Sequence, residues 1–269
     1  MAADTSWTFE PGAVAALAVL GGAYAIRWRR ARGSAGPAAA PGWRLASFAA
    51  GVLLLAVALI SPVDRLAEQA FAVHMVQHLL LIDLASVLLI VGLTKVILRP
   101  ATKRLQGLER AAGPLGGPIF AIVLYVAVMW LWHVPALYDA ALESAPTHVL
   151  EHLLFASAGL LYWWHLLSPI RARRRLGGMG PVAYMLVTKL LVGLLGIAIT
   201  FAPGTLYGFY ENQAPIWGLT AQTDQQAAGA VMAIEQSIVM GVALVFLFVR
   251  ALQESERNDQ RAERYGTTG

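Results

Sequence analysis

The chain has 269 residues, 58% of them hydrophobic and only 13% charged, and its mean hydropathy is +0.60. That balance defines an integral membrane protein and excludes a disordered chain or an ordinary soluble globule. No cysteine is present, which rules out a disulfide framework, iron–sulfur ligation and thiolate metal sites. Crossing a bilayer takes roughly 20 apolar residues as a helix. Seven stretches reach that length, near 11–27, 43–62, 71–94, 116–135, 147–168, 181–202 and 228–250. The apolar runs are long and show no alternation, so helices are expected and not a barrel. The expected fold is all-α: one polytopic seven-helix bundle over 1–250, with a polar cytoplasmic tail over 251–269.

Arginines follow the first span instead of preceding it, so it reads as a retained anchor and not a cleaved signal peptide. The connection RRARGSAGPAAAPG after it reads as a flexible linker. Basic residues then mark alternate connections. Arg27, Arg29, Arg30, Arg32 and Arg44 surround the first, Lys95, Arg99, Lys103, Arg104 and Arg110 fill the third, and Arg171, Arg173, Arg174 and Arg175 fill the fifth. The tail adds Arg250, Arg257, Arg261 and Arg264, so that 18 of the 20 basic residues share one side. The positive-inside rule then places the N-terminus outside and the C-terminus in the cytoplasm. The pI of about 9.6 therefore reports topology and contact with anionic lipid, not nucleic acid. The opposite connections are acidic (Asp64, Glu68, Asp139, Glu143, Glu211 and Asp224), which would concentrate cations at the outer rim.

Five of the six histidines fall at that outer side. In FAVHMVQHLLL, His74 and His78 are four residues apart and share one helix face. His133 closes the fourth span just before Val134-Pro135, with Met129 one turn deeper. Pro146 and Thr147 start the fifth helix, where His148 and His152 form a second i, i+4 pair. Such a pair directs two imidazoles at one point beside the helix, which suits a metal ion better than a haem. Imidazole with thioether available and no thiolate fits copper, with zinc as the competitor. Met75 beside His74, Met129 and Met232 are the candidate soft ligands, and Glu151 and Glu235 are candidates to orient an imidazole. His165 lies about 20 Å away along its helix, at 1.5 Å per residue. With Tyr162, Trp163 and Trp164 it reads as a headgroup-level residue. Asp83 and Lys189 are buried within spans and are expected to find partners inside the bundle.

Four segments, HMVQHLLL, WHVPALYDAAL, HVLEHLLFASAGLLYWW and DQQAAGAVM, resemble the signatures of the seven-span CtaG family of cytochrome c oxidase assembly factors. The resemblance covers roughly residues 43 to 250. His165 stands where the family would have proline, and Ala233 where it often has tryptophan. The resemblance implies a non-enzymatic role in maturing the oxidase, in a multi-pass protein of the bacterial cell membrane. Copper would be held by His74, His78, His133, His148 and His152 and passed to an oxidase subunit. It would be received from a soluble or membrane copper donor, and the chain would work alone or as a homo-oligomer. The resemblance also singles out Asp139 near the outer mouth and Asp224, Gln225 and Gln226 at the start of the seventh span. Those last side chains are expected to cap that helix or hold an imidazole by hydrogen bonds. Two other readings of the residues remain open: haem handling with histidine axial ligands, and metal-cation transport.

Overall fold

A computed structural model describes residues 3–170 and 176–266, apart from the side chains at 258, 261, 262 and 264–266. Arg171, Arg173, Arg174 and Arg175 lie outside the described residues, as do the side chains of Arg261 and Arg264. Among the described residues there is no strand.

In chain order the helices are α1 (Pro11–Ala35), α2 (Gly42–Ile60), α3 (Pro62–Ala67), α4 (Phe71–Gly92), α5 (Lys95–Ala112) and α6 (Pro118–Trp132). They continue as α7 (Pro135–Glu143), α8 (Ala145–Leu167), α9 (Gly180–Thr200), α10 (Gly208–Glu211) and α11. The last comprises Ala221–Glu235, a wide turn Gln236–Met240 and Gly241–Gly266, so the polar stretch after residue 250 stays helical as far as Gly266. Prolines set many of these starts: Pro11, Pro62, Pro118 and Pro135 open their helices, and Pro146 and Pro181 stand one residue in. Proline there gives up only an N–H that the first turn leaves unbonded, and its fixed φ already suits the helix.

Among the described residues, α1, α2, α4, α9 and α11 are each long and apolar enough to cross a membrane. A sixth crossing arises if the segments carrying α5 and α6, bent by 68° against each other, form one broken span. The expected seven do not all appear as straight apolar rods, for two reasons. Helix α6 has 15 residues, short of a bilayer on its own. Helix α8 has 23 residues but carries His148, Glu151, His152 and His165, which dilute its apolar character. Helix α5 is amphipathic, with Lys95, Arg99, Lys103, Arg104 and Arg110 all exposed.

Helix α4 is the axis of the bundle. Of its apolar stretch 72% is buried, against 6% for the peripheral α1. It packs on α2, α3, α8 and α11, whereas α1 rests on α2 and α5. The approach of α8 is so close that a methyl group at Gly159 would collide with the Ile82 carbonyl oxygen.

Midway along, α4 opens into a π-helical turn at Leu80–Ala85, and α11 does the same at Gln236–Met240. Such turns hold one residue more than an α-helical turn. The two meet at Asp83, which is fully buried. Its carboxylate accepts from Tyr125 Oη at 2.7 Å, Trp163 Nε1 at 2.7 Å and Gln236 Nε2 at 3.3 Å. Three donors from α6, α8 and α11 thus answer a charge that apolar surroundings would otherwise penalise heavily. The expectation of a buried, partnered residue holds for Asp83; Lys189 is instead partly exposed. The expectation for the neighbouring aromatics fails: Tyr162 and Trp163 are core residues, not headgroup anchors. Asp83 draws the Trp163 indole inward, and Tyr162 stacks on Tyr184 with ring centroids 4.6 Å apart. Of this set of four, Trp164 and His165 remain partly exposed.

Candidate metal centre

The start of α4 is held from a distance. Asp224 on α11 accepts from the backbone N–H groups of Phe71 at 2.6 Å and Ala72 at 3.0 Å, an N-terminal cap supplied by another helix. The start of α11 itself is capped by Thr220 and Thr223 in a reciprocal pair. Asp224 was expected to cap its own helix; it caps α4 because its side chain turns inward to the unbonded amides there. Gln77 adds a second tie, donating to the Ala58 carbonyl and to Asp64 Oδ1, each at 2.8 Å. Burial pushes the Asp64 carboxyl above the usual carboxylate range, and the Gln77 hydrogen bond opposes the shift. These ties fix the rotation of the first two turns of α4, and with it the aim of His74 and His78.

Four side chains then converge. One donor atom each from His74, His78, Glu151 and His152 lie within 4.8 Å of one another. His74 Nε2 is 2.8 Å from His78 Nε2, and Glu151 lies 3.6 Å from His78 Nε2 and 3.9 Å from His74 Nε2. A tetrahedral ion with bonds of about 2.0–2.2 Å separates its donor atoms by about 3.3–3.6 Å, so the set is already close to ligand spacing. His74, His78 and Glu151 are buried, and His152 is partly exposed.

The hydrogen bonds say which lone pairs are free. Tyr210 Oη spends its one proton on the Ala67 carbonyl at 2.7 Å, so it accepts from His74 Nδ1 at 3.0 Å. His74 is therefore protonated on Nδ1, and its Nε2, turned to the cluster, accepts from His78 Nε2. Outer partners of this kind orient metal-binding imidazoles. Around it, His78 Nδ1, His148 Nε2, His152 Nε2 and both Glu151 oxygens are buried without a hydrogen-bond partner. Buried polar atoms are normally paired. Such a set from two helices, all nitrogen or carboxylate oxygen, has the chemistry to hold a cation.

The other candidates divide clearly. His148 sits at the mouth, its ring centroid 4.2 Å from that of His152 and 5.4 Å from that of His74, outside the four-donor group. His133 also falls outside it. Its Nδ1 lies 2.5 Å from the Met129 carbonyl oxygen and its Nε2 3.3 Å from Met75 Sδ. Asp139 holds the start of α10, accepting from Gly208 N at 3.1 Å and Phe209 N at 3.4 Å. Gln225 braces the connection after α9 through Leu206 N, the Gly204 carbonyl and the Ile199 carbonyl. Gln226 is exposed. Met232 packs against Gly196 of α9, and Glu235 lies by the Asp83 level. Neither Asp139 nor Glu235 offers a ligand atom to the cluster.

Three site residues escaped the sequence reading: Tyr210, Phe155, whose ring stacks on His78 at 4.3 Å, and Tyr138, 5.1 Å from the His74 ring. Tyr138 lies inside WHVPALYDAAL, so the motif carried a signal for it. Tyr210 sits in a connection without helical periodicity and carried none.

A helical membrane bundle holding three imidazoles and one carboxylate in a mostly buried donor set is the class of protein these features define. The chain belongs to the cytochrome c oxidase caa3 assembly factor family (Caa3_CtaG), whose profile matches residues 22–254. Over 285 residues it is 23% identical to uncharacterized protein ML1998 of Mycobacterium leprae (strain TN), covering 97% of this chain and 42% of that protein. Uncharacterized proteins Mb0105 of Mycobacterium bovis (strain ATCC BAA-935 / AF2122/97) and MT0111 of Mycobacterium tuberculosis (strain CDC 1551 / Oshkosh) are each 24% identical over 279 residues, with the same shares. The chain thus spans well under half the length of the curated relatives it matches. No solved structure matches it.

Proposed function

We propose that this protein is a non-enzymatic, seven-span assembly factor that binds copper through His74, His78, Glu151 and His152 and delivers it to a cytochrome c oxidase subunit. The family supplies the oxidase, and the convergence of orphaned buried donors supplies the metal. Charge asymmetry along the chain supports an N-terminus outside and a C-terminus in the cytoplasm of a bacterial cell membrane. The cluster then opens on the outer side. His74 and His78 would retain the ion, Glu151 would balance its charge, and His152 and His148 would exchange ligands with a copper donor or acceptor at the mouth. Zinc satisfies the same donor set and is the ion to compete against.

The test is elemental analysis of the detergent-purified protein beside a His74→Ala/His78→Ala variant, with oxidase activity measured in cells lacking the native gene. Copper lost from the variant, together with oxidase activity, supports the reading. Full oxidase activity from the variant would sink it. Replacing Tyr210 with phenylalanine should keep the fold and every ligand but free the His74 ring to rotate. Copper affinity is expected to fall by about 10–100-fold, read by competition titration; wild-type affinity would mean that the Tyr210 hydrogen bond does not orient the site.

A further inference from the structure

We propose a second, softer metal site at Met75 and His133, distinct from the four-donor cluster, that takes a monovalent soft cation of the Cu(I) type. It extends the copper reading of the cluster without depending on it.

The position of the His133 proton decides the contact. Its Nδ1 is 2.5 Å from the Met129 carbonyl oxygen, a group that can only accept, so the ring proton lies on Nδ1. Nε2 then keeps its lone pair, and that lone pair faces Met75 Sδ at 3.3 Å. A thioether has no proton to give. Two acceptors therefore confront each other with no hydrogen between them, in residues only 1% (Met75) and 5% (His133) exposed. A doubly protonated ring would supply the missing hydrogen, but it would bury a charge with no carboxylate within ion-pair distance among the described residues. A cation between the two atoms resolves the contact.

The spacing fits one. Bonds of about 2.0 Å to nitrogen and 2.3 Å to sulfur, spanning that gap, meet at an angle of about 100°. A bent pair leaves the ion a face for a further donor. Imidazole with thioether and no carboxylate suits a soft ion of the Cu(I) type and not calcium or magnesium. The walls agree: the His133 ring lies 6.0 Å from Tyr138 and 6.5 Å from Phe155, centroid to centroid. Phe155 also covers His78, so its ring stands between the two sites. Met75 directly follows His74 on α4, and successive helical residues point about 100° apart, so one helix presents a hard and a soft station on different faces.

The full-length protein in detergent, under reducing anaerobic conditions, is titrated with Cu(I) against a chromogenic Cu(I) chelator, and its copper-edge X-ray absorption is recorded. Wild type is compared with His78→Ala/His152→Ala and with Met75→Leu, a change that nearly conserves volume. The cluster variant is expected to keep one Cu(I) with a sulfur scatterer. Met75→Leu is expected to lose that scatterer and at least about tenfold in affinity for one ion, while still binding Zn(II) at the cluster like wild type. A cluster variant that binds no Cu(I), or a wild-type spectrum free of sulfur, overturns the proposal. Should wild type bind nothing at the cluster while the sulfur-ligated ion persists, the dyad stands and the cluster reading falls.

Discussion

Replacing Glu151 with glutamine is expected to weaken metal binding by about 100-fold or more while making the metal-free protein more stable. Glu151 is fully buried, and neither of its oxygens has a hydrogen-bond partner. It brings the one formal negative charge to a donor set of neutral imidazoles. Without it a cation would sit in low dielectric with no counter-charge, which costs far more there than in water. In the metal-free state the same carboxyl is a liability, because it is desolvated and unanswered. A carboxamide of nearly equal size carries no ionisable charge to desolvate, giving back about 1–3 kcal/mol. Thermal unfolding with and without chelator, beside a metal titration, reads both halves. Equal destabilisation in the two states would mean that Glu151 is only a structural residue.

Asp83→Ala is expected to be the most damaging single substitution away from the metal centre. It strands Tyr125 Oη, Trp163 Nε1 and Gln236 Nε2, three donors that now converge on one carboxylate. Each unanswered buried donor costs about 1–3 kcal/mol, so the variant should lose several times what Tyr125→Phe loses. The latter removes one donor and leaves the carboxylate two. Asp83→Asn keeps one acceptor oxygen and should fall between them. Ranking the three by Tm in one detergent is sufficient; an Asp83→Ala protein as stable as Tyr125→Phe would refute the account.

The sequence made some of this legible because the relevant physics is local. The i, i+4 spacing of His74 with His78, and of His148 with His152, is a property of any helix, and the prolines at helix starts are likewise read residue by residue. What the spacing could not fix was rotation. His133 shares the depth of the other histidines, yet its ring is turned to Met75 by the Met129 carbonyl, a contact made only at the end of α6. Asp224 and Asp139, singled out by motif, prove to cap α4 and α10 instead of approaching an ion, because unbonded helix amides lie nearer. Tyr210 was invisible for a different reason. Its role depends on α10 being folded back over α4, a long-range event with no local pattern. The crossing count suffered from the candidate site itself, since the histidines and Glu151 that α8 brings to it also make the helix polar.

The wide turn at Leu80–Ala85 has a consequence for how this site tolerates change. One surplus residue there offsets the two halves of α4 by a single helical step, about 100° of rotation. Above the turn, the phase of the helix serves the imidazoles; below it, the phase serves the contact of Leu89 with Gly51. The two requirements are met together only through that stagger. A helix of uniform pitch that kept Leu89 in place would swing His74 and His78 a quarter-turn off Glu151. The spacing between the candidate metal ligands and the lower half of α4 is therefore a counted length, tolerant of many replacements but of no gain or loss of a residue.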